Sequence, residues 1–371
     1  MLELFQAELE DQRDTRGKRH DLGFVVLSFF LSILESTGKV SRQKIHRQMQ
    51  RQHQRYQNFT GFKQDKCISY TQLGRILQDL DYVNLNQVFE HYFGCGIIEE
   101  SGEWYAIDGK ELRGSIDKAL GSKRGENVIL KVNHQTKGSE LIGWYHGQKE
   151  GEKTQVHQYL STQVKSGAKY TLDALHLSED LLRQIHQQGG YYMIQLKGNQ
   201  KYLLEDARHT STHLQTDYEY ITYDKGHGRS EKRIYEGYEF PAPMLAKRWQ
   251  DTGIQTLFKV QREVRKNKTK KQSQQHAFYV SNMPLNRQEF ESCCQAIRFH
   301  WSVETQNYQL DTQLGQDNLT GFQSPIQRNM AVFFNHALNW LKKANTENNL
   351  SKLREDILDD KNLICKLFNQ Y

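Results

Sequence analysis

Residues 169–196 read KYTLDALHLSEDLLRQIHQQGGYYMIQL, and their pattern decides the fold class. Lys169–Asp173 is a short apolar run that closes on an acid, as a buried strand does. Ser178, followed by Glu179 and Asp180, opens a helix with an N-cap residue and two acids placed to meet its positive end. Gly189–Gly190 stops that helix, and Tyr191–Leu196 is a second strand. Strand, helix, strand within 28 residues predicts neighbouring strands of an α/β sheet.

Upstream, Trp104–Asp108 (WYAID), Val128–Asn133 and Leu141–His146 read as three strands separated by turn residues, and Thr154–Val164 reads as a helix. The order strand, strand, strand, helix, strand, helix, strand predicts a mixed sheet across 101–200. Residues 1–100 carry helical spacing, including Leu73, Ile76, Leu77 and Leu80, with Gly94 and Gly96 at the exit. Across 201–290 the alternation breaks. Ile254–Val264 and His276–Ser281 flank RKNKTKKQSQQ (265–275), which predicts a hairpin with a basic tip carrying Arg262, Lys266 and Lys270. Residues 291–345 turn helical, with helices expected near Arg287–Leu310 and Gln327–Lys343. Residues 346–371 read as a polar tail.

The 371 residues carry a net charge of +6, too mild to name a partner by itself, so the placement of charge matters more. Positions 39–66 hold eight Lys or Arg against Asp65 alone, and Lys44, Arg47, Arg51 and Arg55 fall on one helical face suited to a phosphate backbone. Phe24–Leu34 is too short to span a bilayer and reads as a buried helix, so no membrane partner is expected. Five cysteines without a C-x-x-C pair fit a reducing cytoplasm and argue against a zinc site.

Asp108 and Asp173 each end an apolar strand, where side chains reach the rim of an α/β sheet. A lone charge there destabilises unless it is partnered. His300, Glu304, Asn307 and Asp311 recur at spacings of 4, 3 and 4, which puts them on one helix face, while Phe299, Val303 and Leu310 can turn to a core. Trp301 reads as core packing rather than base stacking. Cys293 and Cys294 read as small buried side chains.

The segments IDGKELRGS (107–115), YTLDALH (170–176), GGYYMIQLKGNQ (189–200), GHGRSEKR (226–233) and RFHWSVE (298–304) resemble, in order, the H-repeat-associated (ISAs-type) insertion-sequence transposases. DQRDTRGKRHDL (11–22) resembles the helical domain that accompanies them, and the likeness covers nearly the whole chain. It implies an α/β fold with a ribonuclease H-like mixed-sheet core, a β-rich insertion over 201–290 and an N-terminal helical, DNA-binding domain. Asp108, Asp173 and Glu304 would be the catalytic and metal-holding triad of a DDE transposase, with Glu304 placed 131 positions after Asp173 by the insertion. Thr305 stands where the family usually has Asn.

Two Mg²⁺ ions, with Mn²⁺ able to substitute, suit such a carboxylate set, because magnesium prefers hard oxygen donors. The expected partners are double-stranded DNA, as element ends and target, and a second copy of the chain on that DNA. Lys110, Arg113, Lys197, Asn199, Arg229 and His300 are candidate DNA or active-site contacts, with Gln200, His227 and Glu231 at the rim. Two other readings stay open: a catalytically inactive transposase-derived DNA-binding protein, and a ribonuclease H-like nuclease that cuts without joining.

Overall fold

A computed structural model describes residues 2–14, 18–36, 40–93, 101–119, 121–226, 228–321, 324–347 and 349–368. Gly94 and Gly96, expected to punctuate the helical region, and His227 lie outside the described residues. Among the described residues, nine strands form one sheet: Trp104–Glu111 (β1), Glu126–Asn133 (β2), Ser139–His146 (β3), Lys169–Leu172 (β4), Tyr191–Leu196 (β5), Tyr218–Gly226 (β6), Arg229–Glu239 (β7), Thr256–Lys266 (β8) and Gln272–Ser281 (β9). Their order is β3-β2-β1-β4-β5-β9-β8-β7-β6. β1, β2 and β3 pair antiparallel, and β1, β4 and β5 pair parallel. This is a mixed α/β architecture.

The helices are Leu2–Glu8 (α1), Leu22–Leu34 (α2), Arg42–Thr60 (α3), Tyr70–Asp79 (α4), Tyr82–Phe93 (α5), Lys149–Thr162 (α6), Glu179–Gln187 (α7), Lys201–His213 (α8), Arg287–Phe299 (α9), Ser302–Thr312 (α10), Ser324–Ala344 (α11), Leu350–Asp359 (α12) and Lys361–Phe368 (α13). Every residue of α2 is buried, and Asp21 caps it by accepting from the Phe24 amide at 2.7 Å. A helix apolar all round belongs inside a core. No described helix is long and apolar enough to cross a membrane.

The helices sit on both faces of the sheet. One core joins the N-terminal helices to α10, α11 and the face of β1–β3 that carries Ala106, Val128 and Leu130. Asn329 of α11 stitches this layer by donating to the carbonyls of Leu77 and Leu80 at 3.0 and 2.7 Å. The opposite face carries Ile107, Leu172 and Ile194 and is covered by α6 and α7. Ser178 stands before α7 with extended backbone, but its hydroxyl meets His157 Nε2 at 2.8 Å instead of capping the helix.

The 201–290 region contains the predicted hairpin, and β9 pairs antiparallel with β5 (Met193 opposite Ser281), so its strands prolong the same sheet. Two expectations are corrected. The single helix expected over 287–310 breaks at His300–Trp301. The C-terminal segment is α12 and α13 rather than a polar tail: Ile357, Ile364 and Phe368 are buried, and Phe368 stacks on Trp340 with ring centroids 4.4 Å apart. Replacing Phe368 by Ala should therefore cost about 3 kcal/mol, the usual penalty for emptying a buried aromatic site. Denaturant unfolding would measure it, and a loss near zero would show that the C-terminal helix is not part of the core.

Candidate functional site

Parallel pairing of β1 with β4 sets Ile107 opposite Leu172. Asp108 and Asp173 are the next residue on each strand, so their backbones lie about one strand spacing apart, roughly 5 Å. Ile107 and Leu172 bury into the α6–α7 side, and alternation turns the two aspartates toward the other face, where α10 packs. α10 brings Glu304, while Val303 and Leu310 anchor it in the core. Asp108, Asp173 and Glu304 line one cleft of about 340 Å³.

Charge crowding is visible in the ionisation of these groups. Burial, with Glu152, Asp173 and Glu304 nearby, pushes the Asp108 carboxyl up to about 7. Burial and Asp173 also raise Glu304. At Asp173 burial works in the same direction but is outweighed by hydrogen bonds from Lys197 Nζ (2.8 Å) and its neighbour's amide, Ala174 N (2.7 Å), so its carboxyl is held below the ordinary value.

Glu152 went unnoticed in the sequence. It comes from α6, is buried, and takes a hydrogen bond from the Tyr145 hydroxyl at 3.2 Å; His176 Nε2 lies 3.3 Å from its other oxygen. It reaches the rim because position 109 is glycine: a Cβ there would sit 2.6 Å from Glu152 Oε2. The glycine directly after Asp108 was the available signal.

His300 is half-buried, and desolvation draws its imidazole down to about 4, so it is neutral near pH 7. Its Nδ1 lies 3.0 Å from the Thr171 hydroxyl, which also meets His134 Nε2 at 3.2 Å. Lys197 reaches Asp173, and Asn199 donates to the Ala174 carbonyl at 2.7 Å, so both brace the loop behind Asp173. Arg229 lines the cleft beside Arg233, Arg262 and Arg298. Buried Glu231 holds three of these: Arg262 by two bonds of 2.9 Å, Arg233 by a close ion pair, and Arg229 at 3.7 Å. The sequence reading did not single out Arg233 or Arg298.

Other candidates lie elsewhere. Lys110 is not a surface cation but is buried, with Nζ bonded to both Asp311 oxygens at 2.9 and 2.7 Å. Arg113 is exposed near Asp317. Lys44, Arg47 and Arg51 are exposed on α3, whereas Arg55 turns inward to Glu35 and the Lys361 carbonyl. The acidic cleft takes no residue from α3. Trp301, expected in the core, is exposed and stands at the cleft mouth, and Phe299 is also exposed.

Among the described residues, no set of three His, Cys, Asp or Glu side chains is arranged to hold a single metal ion. The cleft nevertheless fits cations in its donor chemistry. Asp108, Asp173 and Glu304 line one half-buried cleft, and Asp108, which has acidic neighbours, holds its proton to unusually high pH.

Fold and rim together define a mixed α/β protein with a carboxylate cluster at the ends of parallel strands. The chain is a homologue of the H repeat-associated putative transposases. It is 28% identical over 262 residues to the H repeat-associated putative transposase YhhI of Escherichia coli K12, a match covering 66% of each chain. It is 24% identical over 253 residues to the putative transposase YncI of Escherichia coli O157:H7, covering 66% of this chain and 63% of the relative. A third relative, the putative protein YbfL of Escherichia coli K12, is 28% identical over 229 residues, 57% of each chain. The chain thus spans between 57% and 66% of the length of these curated relatives. No family model matches it.

The raised Asp108 carboxyl has a consequence for stability. A proton held more tightly in the folded state than in the unfolded one stabilises the fold at low pH, and this is lost as pH rises from about 4 through about 7. Asp108→Asn should therefore be more stable than the wild type at pH 8 without divalent cations, by about 2 kcal/mol and at most ~4. The two should converge near pH 4. Urea titrations across pH would check this, and equal stability at pH 8 would mean that the rim carries no charge strain.

Proposed function

We propose that this protein is a DNA transposase with a ribonuclease H-like catalytic core, which cuts the ends of an insertion element and joins them to target DNA. The observation that carries the reading is one cleft lined by Asp108, Asp173 and Glu304 together with four arginines. The core order, three antiparallel strands followed by two parallel ones, agrees with that fold. So does the transposase naming of YhhI and YncI.

Asp108, Asp173 and Glu304 would hold two Mg²⁺ ions, or Mn²⁺ in their place. When bound, such a pair activates a water or a 3′-hydroxyl and offsets charge gathering on the phosphate. Lys197 and the Ala174 amide keep Asp173 ionised and fixed in direction. Neutral His300 and Thr171 support the strand on which Asp173 sits. Arg229, Arg233, Arg262 and Arg298 bind the DNA backbone and draw a polyanion toward an otherwise acidic site. Lys44, Arg47 and Arg51 offer a second phosphate-binding face on α3. Two element ends must be held together, so a homodimer on DNA, working in the cytoplasm, completes the reading.

Asp108→Asn and Asp173→Asn should each lower cleavage of plasmid DNA carrying the sequences that flank the gene by roughly a thousandfold or more. Binding to the same DNA should change less than about twofold. Normal cutting by Asp108→Asn in Mg²⁺ would end the proposal. Arg47→Ala combined with Arg51→Ala should flatten the plot of log affinity against log salt by about 0.9 per lost phosphate contact. An unchanged slope would remove α3 from the DNA interface.

A further inference from the structure

A cavity of about 1070 Å³ adjoins the acidic cleft. The two share Tyr235, Arg298 and Trp301 in their walls. Three large aromatic side chains that folding leaves in solvent line this cavity: Phe299, Trp301 and Tyr308 are 43%, 54% and 67% exposed. Trp301 and Tyr308 are seven positions apart, two turns along the same side of α10. Leaving such rings in water forgoes burial energy, and exposed aromatic side chains gathered on the wall of one cavity suit a binding surface.

The rest of the wall suits a nucleobase. Lys137 Nζ stands 4.2 Å from the centre of the Phe299 ring, so a cation lies beside the aromatic platform. Gln135, Gln295 and Gln309 present amides, each both donor and acceptor, which can meet the edge of any base. The acid on this wall, Asp224, is tied up by Arg233 at 2.7 Å and Arg298 at 3.5 Å. Aromatic faces with flanking cations are how proteins hold unpaired strands without strong sequence preference. An enzyme that works on a duplex can extrude a base when a pocket offsets the lost stacking.

Resting on the reading of the cleft as a DNA-processing site, we propose that the adjoining cavity takes an unpaired nucleobase of the strand held in the cleft, stacked on Trp301. Phe299 and Tyr308 complete the platform, and Arg298 spans the two compartments beside the phosphate. The backbone at the cleft and its displaced base would then occupy neighbouring chambers, with Trp301 at the doorway.

The test uses two probes of equal length: a fully paired duplex, and the same duplex ending in a 3′ single-stranded tail that carries 2-aminopurine. With the wild type, the tailed duplex should bind about tenfold more tightly, and the 2-aminopurine emission should be quenched on binding. Trp301→Ala should abolish both effects, so that the tailed and the fully paired duplex bind it alike. Tyr308→Ala should weaken them, and Trp301→Phe should restore most of the preference. If the tail brings no preference, or the preference survives Trp301→Ala, the cavity does not take a base, although the DNA-processing reading stands. If neither duplex binds, that reading falls and this proposal falls with it.

Discussion

The structure depends first on a register. Ile107 lies opposite Leu172 because both are apolar, both belong to the face under α6 and α7, and a slip of one residue would turn either strand's core side outward. That hydrophobic constraint alone places Asp108 beside Asp173. Two carboxylates carried on neighbouring strand backbones about 5 Å apart repel, and the fold bears the repulsion through packing that lies elsewhere. The asymmetry between them follows from their partners. Asp173 has Lys197 and a backbone amide, whereas Asp108 is half-buried with Glu152 and other acids nearby, so one carboxyl is easily ionised and the other is not.

The third carboxylate depends on a different anchor. Lys110 lies two residues beyond Asp108 on the same strand and is buried against Asp311 of α10. A buried pair of this kind contributes little net stability, because desolvation offsets most of the attraction, but breaking it leaves an uncompensated charge. Its effect is therefore one of direction: it fixes the axial position of α10 against β1, and hence that of Glu304. The same helix is held at Gln306, which donates to Ser139 and faces Asn335 in a buried polar cluster joining β3 and α11. Satisfied networks like this specify one arrangement where apolar packing would tolerate several.

The local parts of this arrangement were legible in the sequence, and the long-range parts were not. The run KYTLD followed by a capped helix and a glycine pair leaves few choices, because period, cap and stop agree. The burial of α2 followed from its lack of any polar face. Lys110 was misjudged because strand alternation says that a side chain points to one face, not that an acid 201 positions later will wait there. Arg55 shares its helical face with Lys44, Arg47 and Arg51, but Glu35, the residue that ends the N-terminal helix α2, captures it, a pairing that helix periodicity cannot foresee. The C-terminal helices were hidden for the opposite reason. Ile357, Ile364 and Phe368 carry helical spacing, but in short segments so polar that only docking against Trp340 and its neighbours makes them worth forming.

Trp301 shows most plainly how tertiary structure overrides a sequence prior. A tryptophan between a histidine and a serine is ordinarily buried, and a continuous helix over 287–310 would have carried it along one face. The break at His300–Trp301 lets His300 turn inward to Thr171 while Trp301 stays in solvent. The prolonged sheet matters for the same region. Since β9 pairs with β5, the strands β8 and β7 continue past the rim and carry Arg262, Arg233 and Arg229 to the acidic cleft. Glu231 neutralises part of that charge, yet it also fixes where the guanidinium groups sit, and three arginines on one carboxylate still leave a positive surplus. An acidic rim without that surplus would repel a phosphate chain. On the proposed reading, the strand extension makes the carboxylate cluster approachable by a polyanion.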